Sequence, residues 1–280
     1  MDFAQNILAT RYFNPIIDAV WNKDFVENVQ ISLPESLSIE DRGGFYDDYG
    51  AVLDMFQNHI LQLLAIVAMD LPKSLEAVDV HKEKLKALKS VADFDKKMVK
   101  DKVVRGQYQA DQSGEYNNYR DEEDVSTDSN TDTYFAAELA VNSDRWQGVP
   151  FYVRTGKALV ENHFTIDLVL KNRGDVEGNV ANRLTFELEP KRGLSFVLDQ
   201  KQATNEFAAL TSFFGPDDKN YQTAYIPDPY ENLLEDALKG EAVLFPTFPE
   251  IKEQWRIADS IVNAWQELPE PDFPNYRAKS

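Results

Sequence analysis

The sequence contains no cysteine and only three histidines in 280 residues. Without a thiol there is no disulfide framework, no zinc finger and no cysteine nucleophile. That absence is compatible with a reducing cytosol, and a cytoplasmic location is expected. Positive charge is also scarce: 29 Lys and Arg stand against 48 Asp and Glu, a formal net charge of −19. No stretch supplies the basic footprint a polyanion requires, which argues against nucleic acid as a partner. Long apolar runs are missing too. The most apolar stretch, Ile60 to Met69, contains Gln62. It is too short for the roughly 20 residues that span a bilayer, so it reads as a buried helix. The opening residues, MDFAQNILATRYFNPIIDAVW, show no basic segment followed by an uninterrupted apolar core, so neither a secretory signal nor contact with a membrane is expected.

What is present is a folded chain: 43% apolar, 12% aromatic and 28% charged residues are too balanced for a disordered polyelectrolyte. The length allows one large domain or two small ones. Residues 5 to 20 place Ile7, Leu8, Phe13, Ile16 and Ile17 roughly at helical spacing. A short strand from Val29 to Leu33 leads to a loop with Pro34 and Gly43-Gly44. A long helix is expected from Ala51 to Met69 and another from Lys82 to Ser90, with Leu85 and Leu88 facing inward. Residues 109 to 133 hold eight acids and one arginine with almost no aliphatics, and read as a solvated surface loop.

Beyond this loop the periodicity becomes two. Phe164, Ile166, Leu168 and Leu170 take alternate positions against Thr165 and Asp167, and Leu184, Phe186 and Leu188 against Thr185, Glu187 and Glu189. Tyr134 to Val141, Phe151 to Thr155 and Leu194 to Leu198 are further strands of this kind, antiparallel with one face covered and one wet. Helices return at Tyr230 to Leu238 and Ile251 to Trp265. Helices, then strands, then helices is an α+β order.

Two stretches have the residues for chemistry. In the first, Asp41-Arg42-Gly43-Gly44 leads to Asp54 and to Gln57-Asn58-His59. An imidazole near pKa 6.5 suits a general base, although a histidine satisfied inside a core fits as well. On a regular helix Asp54 and Asn58 share a face, and His59 lies about 140° around from Asp54, so spacing alone makes no dyad. The second stretch, Arg145-Trp146 through Arg154-Thr155-Gly156-Lys157, ends a strand. It is not a P-loop, because Phe151 stands where that motif has glycine and Ala158 where it has Ser or Thr. Lys157 is either presented to a ligand or is an exposed cation at a strand end.

Together these stretches closely resemble the C-terminal domain of the glucose-6-phosphate dehydrogenase family. The matching residues run through Ala4-Gln5-Asn6-Ile7-Leu8, Trp21-Asn22-Lys23, Arg42 to His59 and Arg105-Gly106-Gln107-Tyr108, then Arg145 to Lys157, Pro227-Asp228, Tyr230-Glu231 and Ala237-Leu238. The resemblance implies one α+β domain over residues 1–280, with a large, mostly antiparallel sheet and helices packed on one face. It implies oxidation of glucose 6-phosphate to the 6-phosphogluconolactone with NADP, at the start of the pentose phosphate pathway. By motif, His59 is the base, and Glu35, Asp54 and Lys157 contact the sugar. A homodimer through the sheet is implied as well.

The departures carry expectations of their own. Asn162 stands where relatives commonly place a second substrate-contacting cation, and Glu189 falls near a sugar-contacting glutamine. The surroundings of Arg154, with Asn162, His163 and Glu187, do not favour the second, structural NADP site of some relatives. The family's glycine-rich dinucleotide fingerprint and its His-Tyr-Leu-Gly-Lys motif do not occur, so NADP is expected to be held mainly by an N-terminal Rossmann domain absent from this chain. The isolated chain is therefore expected to be inactive. The competing reading is a non-catalytic interaction or assembly domain derived from the same family.

Overall fold

The computed structural model describes residues 2–172, 182–201, 207–215, 234–235, 237–239, 242–243 and 245–280. Helices α1 (Asp2–Phe13) and α2 (Pro15–Val20) open the chain. They are separated at Asn14, where the following proline cannot continue a helical hydrogen-bond ladder. Strand β1 (Val26–Pro34) comes next, and then a helical run in three parts: α3 (Gly43–Ala51), a π-helix (Val52–Ile60) and α4 (Leu61–Ala68). Helices α5 (Ala77–Ser90) and α6 (Lys96–Lys102) lead to β2 (Val103–Gly106) and β3 (Tyr108–Gln109). The strand-rich part holds β4 (Tyr134–Ala140), β5 (Pro150–Gly156), β6 (Phe164–Leu170), β7 (Arg183–Glu189), β8 (Gly193–Lys201) and β9 (Phe207–Phe214). Helix α7 (Phe248–Gln266) and β10 (Tyr276–Arg277) complete the order. The helix expected at 230–238 falls mostly outside the described residues, as do Pro227-Asp228 and Tyr230-Glu231.

Eight strands form one sheet in the order β2-β4-β5-β1-β6-β7-β8-β9. Every neighbouring pair is antiparallel except β1 and β5, which run parallel. The α+β architecture expected from the sequence is thus present, with one parallel pair at its centre. The core face carries Val29, Ile31 and Leu33 of β1, Phe151 and Val153 of β5, Ile166 and Leu168 of β6, and Leu184 and Phe186 of β7, all buried. The π-helix and α4 lie in that core. Phe56 meets Phe135 with ring centroids 4.8 Å apart, and Ile60, Leu61 and Leu64 are fully buried. The whole run Gly43–Ala68 is long and apolar enough to cross a membrane by length and composition, but 72% of its apolar window is buried inside the protein. It is a core helix.

The last carbonyls of that run have no intrahelical donors, as at any helix end. Three side chains from elsewhere supply them. The Trp21 indole donates to Val67 O (2.8 Å), the Trp146 indole to Ala68 O (2.9 Å), and the Arg11 guanidinium to Met69 O (3.0 Å). Burial pulls the fully enclosed Arg11 down to about 10, partly opposed by Asp18 at 3.0 Å. Elsewhere in the helical layer, Glu250 of α7 is fully buried. It accepts from Lys84 (2.9 Å) and contacts His81 Nδ1 (2.7 Å), both on α5.

Several expectations need correcting. Gly43-Gly44 begins α3 and is not loop. Helix α5 starts at Ala77, and its inward face carries Val80, Lys84, Ala87 and Leu88, while Leu85 is half-buried. The lysine replaces an apolar residue there because Glu250 compensates its charge. The second face of the sheet is not simply wet: Thr165, Asp167, Thr185 and Ser195 are buried on it, and Asp167 accepts from both threonine hydroxyls. Strands β2 and β9 had no expectation attached to them.

Trp146→Phe keeps an aromatic ring but leaves the Ala68 carbonyl without its donor. We expect a loss of about 1–3 kcal/mol in urea denaturation, the usual cost of an unsatisfied buried polar group.

Candidate active site

Parallel pairing brings the carboxyl ends of β1 and β5 to the same edge, in register up to Pro34 and Gly156. The next residues in the two strands are Glu35 and Lys157. Glu35 N–H donates to Gly156 O (2.9 Å), and Lys157 Nζ lies 2.6 Å from Glu35 Oε2. Lys157 is 6% exposed, so it is not the solvated cation that a strand end allows. Its ammonium sits 5.7 Å from the centroid of the Tyr46 ring, a cation–π contact that holds it from below.

The other two expected residues come from the π-helix. Gly50 has φ +63° and ψ −179°, a backbone conformation that breaks the helix inside α3, just before the π-helix. From there the chain winds with π geometry, which closes its hydrogen bonds five residues apart, not four. Positions five apart then lie much closer in angle than on a regular helix, about 50° around from one another. Asp54 and His59 are such a pair, so the separation expected for a regular helix does not apply. Asn58, placed beside Asp54 by regular spacing, is instead exposed. Desolvation pulls the half-buried His59 below its ordinary pKa, while Asp54 and Glu35 raise it and Lys157 lowers it. All four expected residues therefore share one electrostatic neighbourhood. Arg42 closes its rim, 3.6 Å from Asp54 and stacked over Phe45.

The acidic stretch 109–133 lies against α3, contrary to its reading as a solvated loop. Asp47 accepts from Tyr119 Oη (2.9 Å), Ser126 N–H (3.1 Å) and Ser129 Oγ, and Thr131 Oγ1 donates to Asp47 O (2.6 Å). Tyr119, Ser129, Asp132 and Thr133 are buried. Polar side chains bury here because α3 and the loop satisfy each other, which hydropathy does not register. Gly43 permits the approach: a Cβ on it would sit 1.9 Å from Glu123 O. The carboxy-terminal residues close the back of the site, where Tyr276 Oη donates to Lys157 O (2.8 Å) and Lys279 N–H to Ala158 O (2.6 Å).

Tyr46, Asp132, Thr133 and Tyr276 belong to this surround and had no prior role. Only the Arg42-to-His59 motif hinted at Tyr46, and the other three sit in segments without periodicity. Asn162 and Glu189 are exposed. Arg154 is held by Glu161 (2.9 Å) and Ser32 (3.0 Å), and His163 pairs with Glu187. An open cavity of about 500 Å³ lies by Arg154, Glu161 and Tyr276, apart from His59. Among the described residues no glycine-rich turn joins a strand to a helix, so a Rossmann-type phosphate cradle is not among them.

Two expectations can be measured. Gly50→Ala forces a side chain into a glycine-only region of backbone space, with Asp132 Oδ1 3.0 Å from the new Cβ. It is expected to cost about 1–3 kcal/mol in urea denaturation. Burial raises the Asp132 carboxyl from 3.8 to about 6. Across that interval the folded protein keeps a proton the unfolded chain has lost, so this group makes stability fall as pH rises from 3.8 to about 6. Asp132→Asn is expected to flatten that part of the stability profile.

A family model described as glucose-6-phosphate dehydrogenase, C-terminal domain, matches residues 8–280. The glucose-6-phosphate 1-dehydrogenase of Streptococcus pneumoniae serotype 4 is 37% identical over 283 aligned residues, which take in 100% of this chain and 57% of that protein. That of Leuconostoc mesenteroides is 36% identical, over 93% of this chain and 54% of its own length. A solved glucose-6-phosphate dehydrogenase in complex with its substrate glucose-6-phosphate superposes with a TM-score of 0.90 at 29% identity, covering 99% of this chain and 58% of that one. For the Mycobacterium avium glucose-6-phosphate 1-dehydrogenase the TM-score is 0.81 at 28% identity, with 99% and 57% covered. The chain spans about half the length of the curated relatives it matches. Its motifs, its mixed eight-stranded sheet and this end-to-end match make the chain a member of the glucose-6-phosphate dehydrogenase family, over that family's C-terminal domain.

Proposed function

We propose that this chain is the substrate-binding, proton-accepting part of an enzyme that oxidises glucose 6-phosphate to 6-phosphogluconolactone with NADP, at the start of the pentose phosphate pathway. The observation that carries the reading is the convergence of Glu35, Asp54, His59 and Lys157 at the carboxyl ends of β1 and β5. An assembly-only domain has no physical need to bury Lys157 against Glu35 beside a half-buried imidazole.

In this reading His59, neutral near pH 7 because burial lowers its pKa, accepts the proton from the sugar O1. The C1–O1 bond gains double-bond character as the C1 hydrogen leaves with its electron pair. Glu35 and Asp54 accept hydrogen bonds from sugar hydroxyls, and Lys157 donates to sugar oxygens near C1. A Rossmann-type cradle for the hydride acceptor is not among the described residues, so NADP binding is assigned to a part of the enzyme outside them. A cytoplasmic setting is supported by the Arabidopsis thaliana relative named glucose-6-phosphate 1-dehydrogenase 6, cytoplasmic, which is 35% identical over 267 residues. Association of two copies through the sheet is supported by the apolar residues Leu198, Leu210 and Phe214, exposed on β8 and β9.

The chain alone is expected to reduce no NADP with glucose 6-phosphate beyond a His59→Ala control. Glucose 6-phosphate is expected to perturb the His59 imidazole NMR signals only weakly, at millimolar concentrations. Turnover or tight binding contradicts the division of labour. A complete absence of perturbation at His59 contradicts the site itself.

A further inference from the structure

We propose that Asp132, together with Thr133, is a positioning unit for His59: one two-residue step of the acidic loop fixes where the π-helix begins and holds it against the strand end that carries Lys157. This rests on reading His59 as the base. It adds a residue that the sugar chemistry does not touch.

The break at Gly50 leaves the first amides after it without helical acceptors. Asp132 takes both. Ala51 N–H donates to the Asp132 main-chain oxygen (2.9 Å) and Val52 N–H to Asp132 Oδ2 (3.1 Å). A Cβ at position 50 would stand 3.0 Å from Asp132 Oδ1 and 3.1 Å from its carbonyl oxygen, so the fit is close on both sides. The next residue holds the other half of the site. Thr133 O accepts the Lys157 N–H (2.8 Å), and Thr133 is itself anchored through Gly106 O (2.8 Å), Tyr108 N–H (3.0 Å) and Tyr276 Oη (2.8 Å). Asp132 is 6% exposed and Thr133 is 0% exposed, so neither bond competes with bulk water.

The start of the π-helix decides which side chains share its face. If the run were to continue in regular α geometry, Asp54 and His59 would separate by about 140°. Asp132 therefore acts at a distance from His59, by holding the backbone that keeps Asp54 within electrostatic reach of it. It acts as a hydrogen-bond acceptor. The charged and titratable groups that face it are Arg105 of β2, Tyr46 of α3 and Tyr276 of β10.

The test uses this chain and the NMR titration of the His59 imidazole. With Asp132 unaltered, Asp54→Asn is expected to lower the His59 midpoint by roughly half a pH unit, because a neighbouring carboxylate favours the imidazolium. In an Asp132→Asn background that shift is expected to persist, since the amide oxygen still accepts from Val52. In an Asp132→Ala background it is expected to vanish. A full shift with alanine overturns the proposal, and so does loss of the shift with asparagine. Should the alanine variant not fold, Asp132→Ser, whose hydroxyl falls short of Val52 N–H, takes its place under the same criteria. Failure of the functional reading looks different: His59 would stay coupled to Asp54 in this pattern but show no response to glucose 6-phosphate.

Discussion

The parallel pairing of β1 with β5 is the constraint on which the site depends. Antiparallel neighbours deliver the end of one strand beside the start of the next, so their exits lie at opposite edges of a sheet. A parallel pair delivers two exits to the same edge. Pro34 and Gly156 are in register, and the two chains leave the sheet side by side with a carboxylate on one and an ammonium on the other. Because these two charges neutralise each other in a partly buried place, the cation can be kept dry without being wasted on solvent. The π-helix and the acidic loop then only have to bring Asp54 and His59 up to an edge that already exists.

The part of the helical run after Gly50 completes the arrangement by being anchored at both ends and free to wind irregularly between them. Its last carbonyls are tied by Arg11, Trp21 and Trp146, and its amides after Gly50 by Asp132. A helix held so firmly by tertiary contacts tolerates a winding that an isolated helix would not adopt. The same anchoring explains why residues far apart in the chain, at 11, 21, 132 and 146, bear on one short segment.

Strands with alternating side chains, β6 and β7 above all, were legible in the sequence because burial on one sheet face imposes a period of two. The motif residues of the site were legible through resemblance. The geometry that unites them was not, since it arises from a glycine break and from π winding, and neither leaves a periodic trace. Hydropathy also misjudged the acidic stretch. Its carboxylates and hydroxyls are satisfied by α3 and by main-chain amides, so they bury without being apolar. Lys84 was missed for a related reason, because its partner Glu250 lies 166 residues away. The face of β6 and β7 read as wet holds Asp167 between two threonine hydroxyls, a polar packing that alternation alone takes for solvent exposure.

The seating of the last residues has a practical side. Lys279 donates its main-chain amide to Ala158 and its ammonium to Ser36 (2.7 Å), so residue 280 is delivered next to the two segments that carry Glu35 and Lys157. Whatever follows Ser280, whether further natural chain or an affinity tag, emerges beside the strand edge that carries Glu35 and Lys157. A fluorophore attached there becomes a local sensor of that edge. A bulky purification handle belongs instead on the far side of the molecule.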